Sequence, residues 1–176
     1  MRVYWPTTLT ALAAAAPSGV LAAAPAAVHA VTPALREFYA DADPRELEEE
    51  LEYAAMSDAA EQSLRLLATA PAGTAPRRVV LALEVPERAL PRPDAAGWSA
   101  PERSRVVLDS DLTLGALVSV HVDDGDAEED VRAAVAALPA ADAGDDDARF
   151  TVESAEGHEL LWYDATELPL LLAAGA

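Results

Sequence analysis

His121-Val122-Asp123-Asp124-Gly125-Asp126 is the stretch of this chain richest in groups that could do chemistry. An imidazole and three carboxylates lie within one short run, an oxygen-rich set that suits a hard divalent cation, Mg²⁺ before others. Asp123, Asp124 and Asp126 are the metal-ligand candidates; His121, Asp123 and Asp124, together with His158, are the catalytic ones. Position adds to composition. The run closes a predicted strand and precedes a predicted helix, and open α/β sheets bind ligands outside the carboxyl ends of their strands. A calcium loop of the EF-hand type needs acids at alternate positions and a glutamate at the twelfth, a spacing this stretch does not keep. The plainer account is a solvated turn whose Asp126 caps the helix that follows.

The chain has only three histidines, His29, His121 and His158. If their strands are neighbours, two imidazoles can meet Asp123 or Asp164, with Glu167 nearby, as a general base or a metal site. If not, each is a partly buried, hydrogen-bonded strand residue. The segment His158-Glu159-Leu160-Leu161-Trp162-Tyr163 lacks the second histidine of the helical zinc-protease pattern and reads as strand. The eight glycines are scattered, so no phosphate loop, nucleophile elbow or dinucleotide fingerprint occurs. No cysteine is present, which removes disulfides, thiolate zinc sites and cysteine nucleophiles together. The sequence therefore leaves the enzyme question open and implies no cofactor.

Charge excludes more than it identifies. The 31 acids against 12 basic residues, all of them arginine, give a formal net charge of −19. That sign repels phosphate backbones and anionic membrane surfaces, so neither nucleic acid nor membrane is an expected partner. No run of strongly apolar residues is long enough for a membrane span. Residues 1–30 resemble a secretory leader in their alanine content, but Pro17, Gly19 and Pro25 interrupt the apolar centre, and Arg2-Val3-Tyr4-Trp5 reads as a strand instead. A cytoplasmic protein with an intact N-terminus is the expectation.

The elements that must position these residues follow a recurring unit of strand, capped turn and helix. Thr7 or Thr8 caps a helix through Leu9 and Leu12, after the first strand. Residues 26–31 form a strand, and Thr32-Pro33 starts a helix through Leu35, Phe38 and Tyr39. Asp43-Pro44-Arg45-Glu46 starts a long helical stretch carrying Leu47, Leu51, Met56, Ala60, Leu64 and Leu67, one helix or two because Asp58 with Glu61 could cap a second. Residues 77–85 are a strand, followed by a proline-rich loop, residues 86–101, with four prolines and Trp98. Strands at 105–109 and 117–122 are expected to pair as a hairpin, which makes the sheet mixed. Asp126 with Glu129 opens a helix through Val131, Val135 and Leu138, residues 140–148 form an acidic surface loop, and residues 150–152 a short strand. A strand at 158–163 ends at Asp164, which with Glu167 caps a last helix through Leu168, Leu170, Leu171 and Leu172.

The fold expected is thus α/β, with α+β as the alternative, in one domain over residues 1–176. Arg2-Val3-Tyr4-Trp5-Pro6-Thr7-Thr8-Leu9, Ala30-Val31-Thr32-Pro33-Ala34-Leu35-Arg36-Glu37-Phe38-Tyr39, Glu50-Leu51-Glu52-Tyr53-Ala54-Ala55-Met56, Val120-His121-Val122-Asp123-Asp124 and Leu160-Leu161-Trp162-Tyr163-Asp164-Ala165-Thr166-Glu167-Leu168 together resemble an uncharacterised family of short actinobacterial proteins, over nearly the whole chain. Such a resemblance implies a domain of unknown function and brings no catalytic or binding residues with it. Two functions stay in view beside a third, a phosphate-avoiding binder of a basic protein. One is a non-enzymatic interaction or regulatory domain that self-associates through Trp5, Trp98, Trp162 and the leucine-rich last helix. The other is a Mg²⁺-type enzyme or metal-binding module at the His121/Asp123/Asp124 strand end.

Overall fold

The computed structural model describes residues 1–40, 43, 47–90 and 103–175. Among the described residues there are eight strands: β1 (Arg2–Thr7), β2 (Val20–Ala22), β3 (Ala26–His29), β4 (Val79–Glu84), β5 (Arg105–Leu108), β6 (Leu112–Thr113), β7 (Leu117–Asp123) and β8 (Leu160–Asp164). Six helices accompany them: α1 (Leu9–Ala15), α2 (Pro33–Phe38), α3 (Leu47–Leu67), α4 (Glu128–Asp142), α5 (Asp146–Ser154) and α6 (Leu168–Gly175). Six strands form one sheet in the order β5-β3-β1-β4-β7-β8, and β2 pairs with β6 apart from it. The α/β expectation holds.

Alternation along each strand sorts side chains onto two buried faces. Val3, Val28, Val79, Leu81, Leu83, Val106, Leu108, Val120 and Val122 point to one face, where Leu9 and Leu12 of α1, Leu21, Leu112 and Leu168 of α6 cover them. Tyr4, Val80 and Ala82 point to the other, under Leu35 of α2 and Leu51, Ala55, Ala59 and Ala60 of α3. Each fully buried Leu or Val stabilises the fold by roughly 1.5–3 kcal/mol. The far end of α3 places Leu64 against Val131, Ala134 and Leu138 of α4. Among the described residues α3 packs mainly over β1, β4 and β3, so the same face of β7 and β8 is the more open part of the sheet.

Local signals at the chain ends work as the sequence implies. Thr8 accepts from the Ala11 amide to cap α1, and Thr32 accepts from Leu35 to cap α2. The Asp164–Glu167 capping box is complete ahead of α6. β1 nonetheless lies inside the sheet, whereas β8 is its edge. The stretch from Leu47 to Leu67 is one helix; Asp58 sits within it and caps nothing. The start signal at residues 44–46 and most of the proline-rich loop, Trp98 included, lie outside the described residues.

Four expectations are corrected. The 105–109 and 117–122 strands do not pair: β5 joins β3, and β7 lies between β4 and β8, so every pairing in the sheet is antiparallel rather than mixed. Their connection is captured elsewhere, since Leu112 and Thr113 pair with β2 and the Asp111 carboxylate accepts from the Ala24 amide at 2.8 Å. Asp126 caps no helix: Asp124 accepts from the Asp126 amide and caps a 3₁₀ turn, Gly125–Ala127, with α4 beginning at Glu128. Residues 140–148 are a helix-to-helix corner, not a loop. α4 runs to Asp142, Gly144 takes φ 97°, and Asp145 caps α5 through the Ala148 amide. Asp146 and Asp147 then lie in the first turn of α5, where the helix dipole favours carboxylates, and residues 150–152 are drawn into that helix instead of a strand. Among the described residues, no helix is long and apolar enough to cross a membrane.

Candidate functional site

The strand-end cluster comes apart once its side chains are followed. Asp123 is fully buried at the end of β7, where its Oδ2 accepts from the Arg78 backbone N–H at 2.7 Å and from Nε at 2.9 Å. Its Oδ1 accepts from Arg78 Nη2 at 2.7 Å. The same Nη2 donates to the His158 carbonyl at 2.8 Å, tying β8 to the pair. Asp124 turns outward as a cap, and Asp126 stands exposed in the turn. His158 Nε2 donates to Asp130 Oδ2 at 2.7 Å, so its ring is committed to α4. Asp164 and Glu167 are spent on the capping box, and the hydrogen bonds from Thr166 hold the Asp164 carboxyl below its ordinary range. No group of three His, Asp or Glu side chains able to hold a metal ion occurs among the described residues.

His121 has a different setting. It lies on the face that α3 leaves open, opposite Trp162 in the β7–β8 register, with its Nε2 3.1 Å from Ser119 Oγ. Burial, and then the nearby Arg2 guanidinium, push its pKa below the usual histidine value. The ring is therefore neutral at pH 7.

The open face and the flank of α3 form a groove. One end is a cavity of about 440 Å³ bounded by Tyr53, Met56, Ser57 and Ala60 of α3, with Arg78, Glu156, His158, Glu159 and Leu160. Tyr53 and Met56 also border the next, about 300 Å³, which contains His121, Ser119 and Trp162 and is flanked by Arg2, Glu49 and Glu52. Tyr4 forms part of its floor; burial and the Glu52 carboxylate, which accepts from its hydroxyl at 3.2 Å, keep that phenol protonated far above its ordinary range. Glu156 has its carboxyl pushed up by burial and by the negative neighbours Glu61 and Glu153. Met56 and Ala60 were legible as part of one apolar helix stripe; Tyr53, and what these residues face, were not.

A second arrangement escaped the sequence altogether. Ser104 Oγ donates to Asp58 Oδ2 at 2.5 Å and lies 2.8 Å from His29 Nδ1. A hydroxyl has one proton, so the ring nitrogen donates to it. Asp, Ser and His are all present, but serine stands between the other two and is fully buried, so its oxygen is neither aimed at a substrate nor activated by the imidazole. The chain instead ties α3, β3 and the segment before β5 together. Thr32 reinforces it by donating to the Arg103 carbonyl.

Chemically, the groove offers apolar and aromatic walls, a neutral imidazole and carboxylates at both ends, which are means of holding a molecule. No curated protein and no solved structure matches the chain. A family model does, from residue 1 to residue 172, and by that match the chain belongs to the family of unknown function DUF6912.

Proposed function

We propose that the chain is a single, cytoplasmic, non-enzymatic interaction domain that self-associates by pairing β8 with β8 of a second copy. One observation carries this reading: β8 is the last strand of the sheet, and its Leu161 and Trp162 are 41% and 60% exposed. An edge strand presents unpaired N–H and C=O groups, and natural proteins ordinarily blunt such an edge with charge, proline or a covering element. β8 reads Leu-Leu-Trp-Tyr-Asp, with neither charge nor proline in its first four residues. Leu170, 74% exposed on α6, adds apolar surface near the C-terminus. Trp5 takes no part, since it is half-buried in the interior strand β1.

Sedimentation velocity across a concentration series tests the reading. A concentration-dependent dimer is expected, weakened at least tenfold by Leu161→Lys with Trp162→Asp. Raising salt should tighten it, because each copy carries a net charge of −19 and screening reduces their repulsion. A strictly monomeric wild type at high micromolar concentration would remove self-association.

A further inference from the structure

The groove shares Trp162 with the β8 edge but otherwise lies on the sheet face beside the flank of α3, and its charges select a different occupant. Its arginines are already neutralised: Arg78 by buried Asp123 at 2.7 Å, and Arg2 by Glu52 at 3.6 Å and Glu84 at 3.9 Å. Glu49, beside the His121 cavity, and Glu156 and Glu159, beside the other, have no ion pair among the described residues. Between these acidic ends stand Tyr53 and Trp162, 62% and 60% exposed, one on α3 and one on β8. Their ring faces attract cations as well as apolar groups.

Length narrows the occupant further. From Glu49 to Ala60 the helix rises roughly 16 Å, which is about five residues of extended chain. A second copy is a poor fit for this surface, since it brings 31 acids and only 12 arginines to a wall that already repels carboxylates. The Glu156 carboxyl is pushed up first by burial and then by the Glu61 and Glu153 carboxylates, whose effect is in keeping with an acidic wall.

We propose that the groove between α3 and β8 docks an extended, basic segment of a partner protein, with Lys or Arg at both ends and apolar side chains between them against Tyr53 and Trp162. This rests on the reading of the chain as an interaction domain but not on self-association. The cations meet Glu49 at one end and Glu156 and Glu159 at the other, and the apolar centre covers the aromatic walls. Electrostatic complementarity of this kind sets specificity and register, and it weakens with salt.

Fluorescence anisotropy with a labelled Lys-Lys-Leu-Val-Leu-Lys-Lys peptide, its Glu-Glu-Leu-Val-Leu-Glu-Glu counterpart and the intact chain tests this. Saturable binding of the lysine peptide alone is expected, weakening about tenfold from 50 to 300 mM salt, a sign opposite to that of β8 association. Glu49→Gln with Glu159→Gln should lower affinity about five- to tenfold, and Tyr53→Ala at least as much, with far-UV circular dichroism unchanged because all three side chains are exposed. Equal binding of both peptides, no saturable binding, or an unaltered affinity in the glutamine double variant overturns the proposal. So does peptide binding that falls as the chain self-associates while Leu161→Lys restores it, which would place a second copy in the groove. Dimerisation through β8 with no peptide binding overturns this inference alone; peptide binding by a monomer supports it and removes self-association alone.

Discussion

Arg78 engages both carboxylate oxygens of Asp123, with the two side chains only 4% and 0% exposed. The pair closes one end of the groove and, through Arg78 Nη2 and the His158 carbonyl, holds the start of β8. Removing one partner of a buried pair strands the other charge without water, at a cost of about 3–5 kcal/mol. Arg78→Met and Asp123→Leu should each lower stability by about that much, while the double variant recovers most of the loss. Urea unfolding of the four proteins checks it; additive losses would mean that the pair is not coupled.

The same grip bears on cations. With the oxygens of Asp123 accepting from Arg78, millimolar Mg²⁺ is expected to leave Tm unchanged. A thermal shift with Mg²⁺ that disappears in Asp124→Ala would restore the strand end as a metal site.

His121 gives a pH signature. Its folded pKa lies below the unfolded value of about 6.5. The unfolded chain therefore binds more protons in that interval, and stability rises with pH. The contribution is whole above about pH 6.5 and is lost as pH falls through the depressed folded pKa. Thermal melts between pH 7.5 and 5.5 should show a decline in the wild type that His121→Gln flattens. An identical decline in both proteins counts against the half-buried, neutral imidazole.

Glu156 has the opposite sign. A carboxyl whose folded pKa is raised destabilises the fold while ionised, so stability is gained as pH falls through that value. Glu156→Gln should raise Tm slightly at pH 7, by a fraction of a kcal/mol since the carboxyl is only partly buried and solvent screens it, and the difference should vanish at about pH 4, near the unfolded glutamate pKa. A variant less stable than wild type at pH 7 would show that Glu156 has a partner it needs.

Ser104 tests the chain of hydrogen bonds beneath α3. Ser104→Ala removes the hydroxyl between Asp58 and His29, so that each loses one hydrogen bond, at a cost of about 1–3 kcal/mol. Chemical denaturation measures it. A loss of a few tenths of a kcal/mol would mean that the two groups find each other or water.

Local code carried much of the fold. Thr8, Thr32 and the Asp164–Glu167 pair cap helices because a side-chain oxygen and an amide a few residues away are enough to do so. The same shortness of range explains the misreading at Asp124 and Asp126, where two carboxylates competed for one helix start and their spacing alone did not choose between them. The acidic run 140–148 misled in another way. Its composition suits a solvated loop, but Asp145 and Gly144 are also the punctuation between two helices, and α4 packing on Leu64 of α3 decided for that.

By itself the sequence determined the strand-turn-helix units at both ends, the helix stripe that includes Met56 and Ala60, and a net charge of −19. The tertiary structure alone decided that β5 joins β3, that β6 leaves to pair with β2, that Arg78 takes Asp123, and that Tyr53 and Trp162 share a groove. The physical reason is distance along the chain. Caps and periodicities act over a few residues, whereas Arg78 and Asp123 meet only because antiparallel register lays β4 against β7, and no local pattern encodes which strands become neighbours.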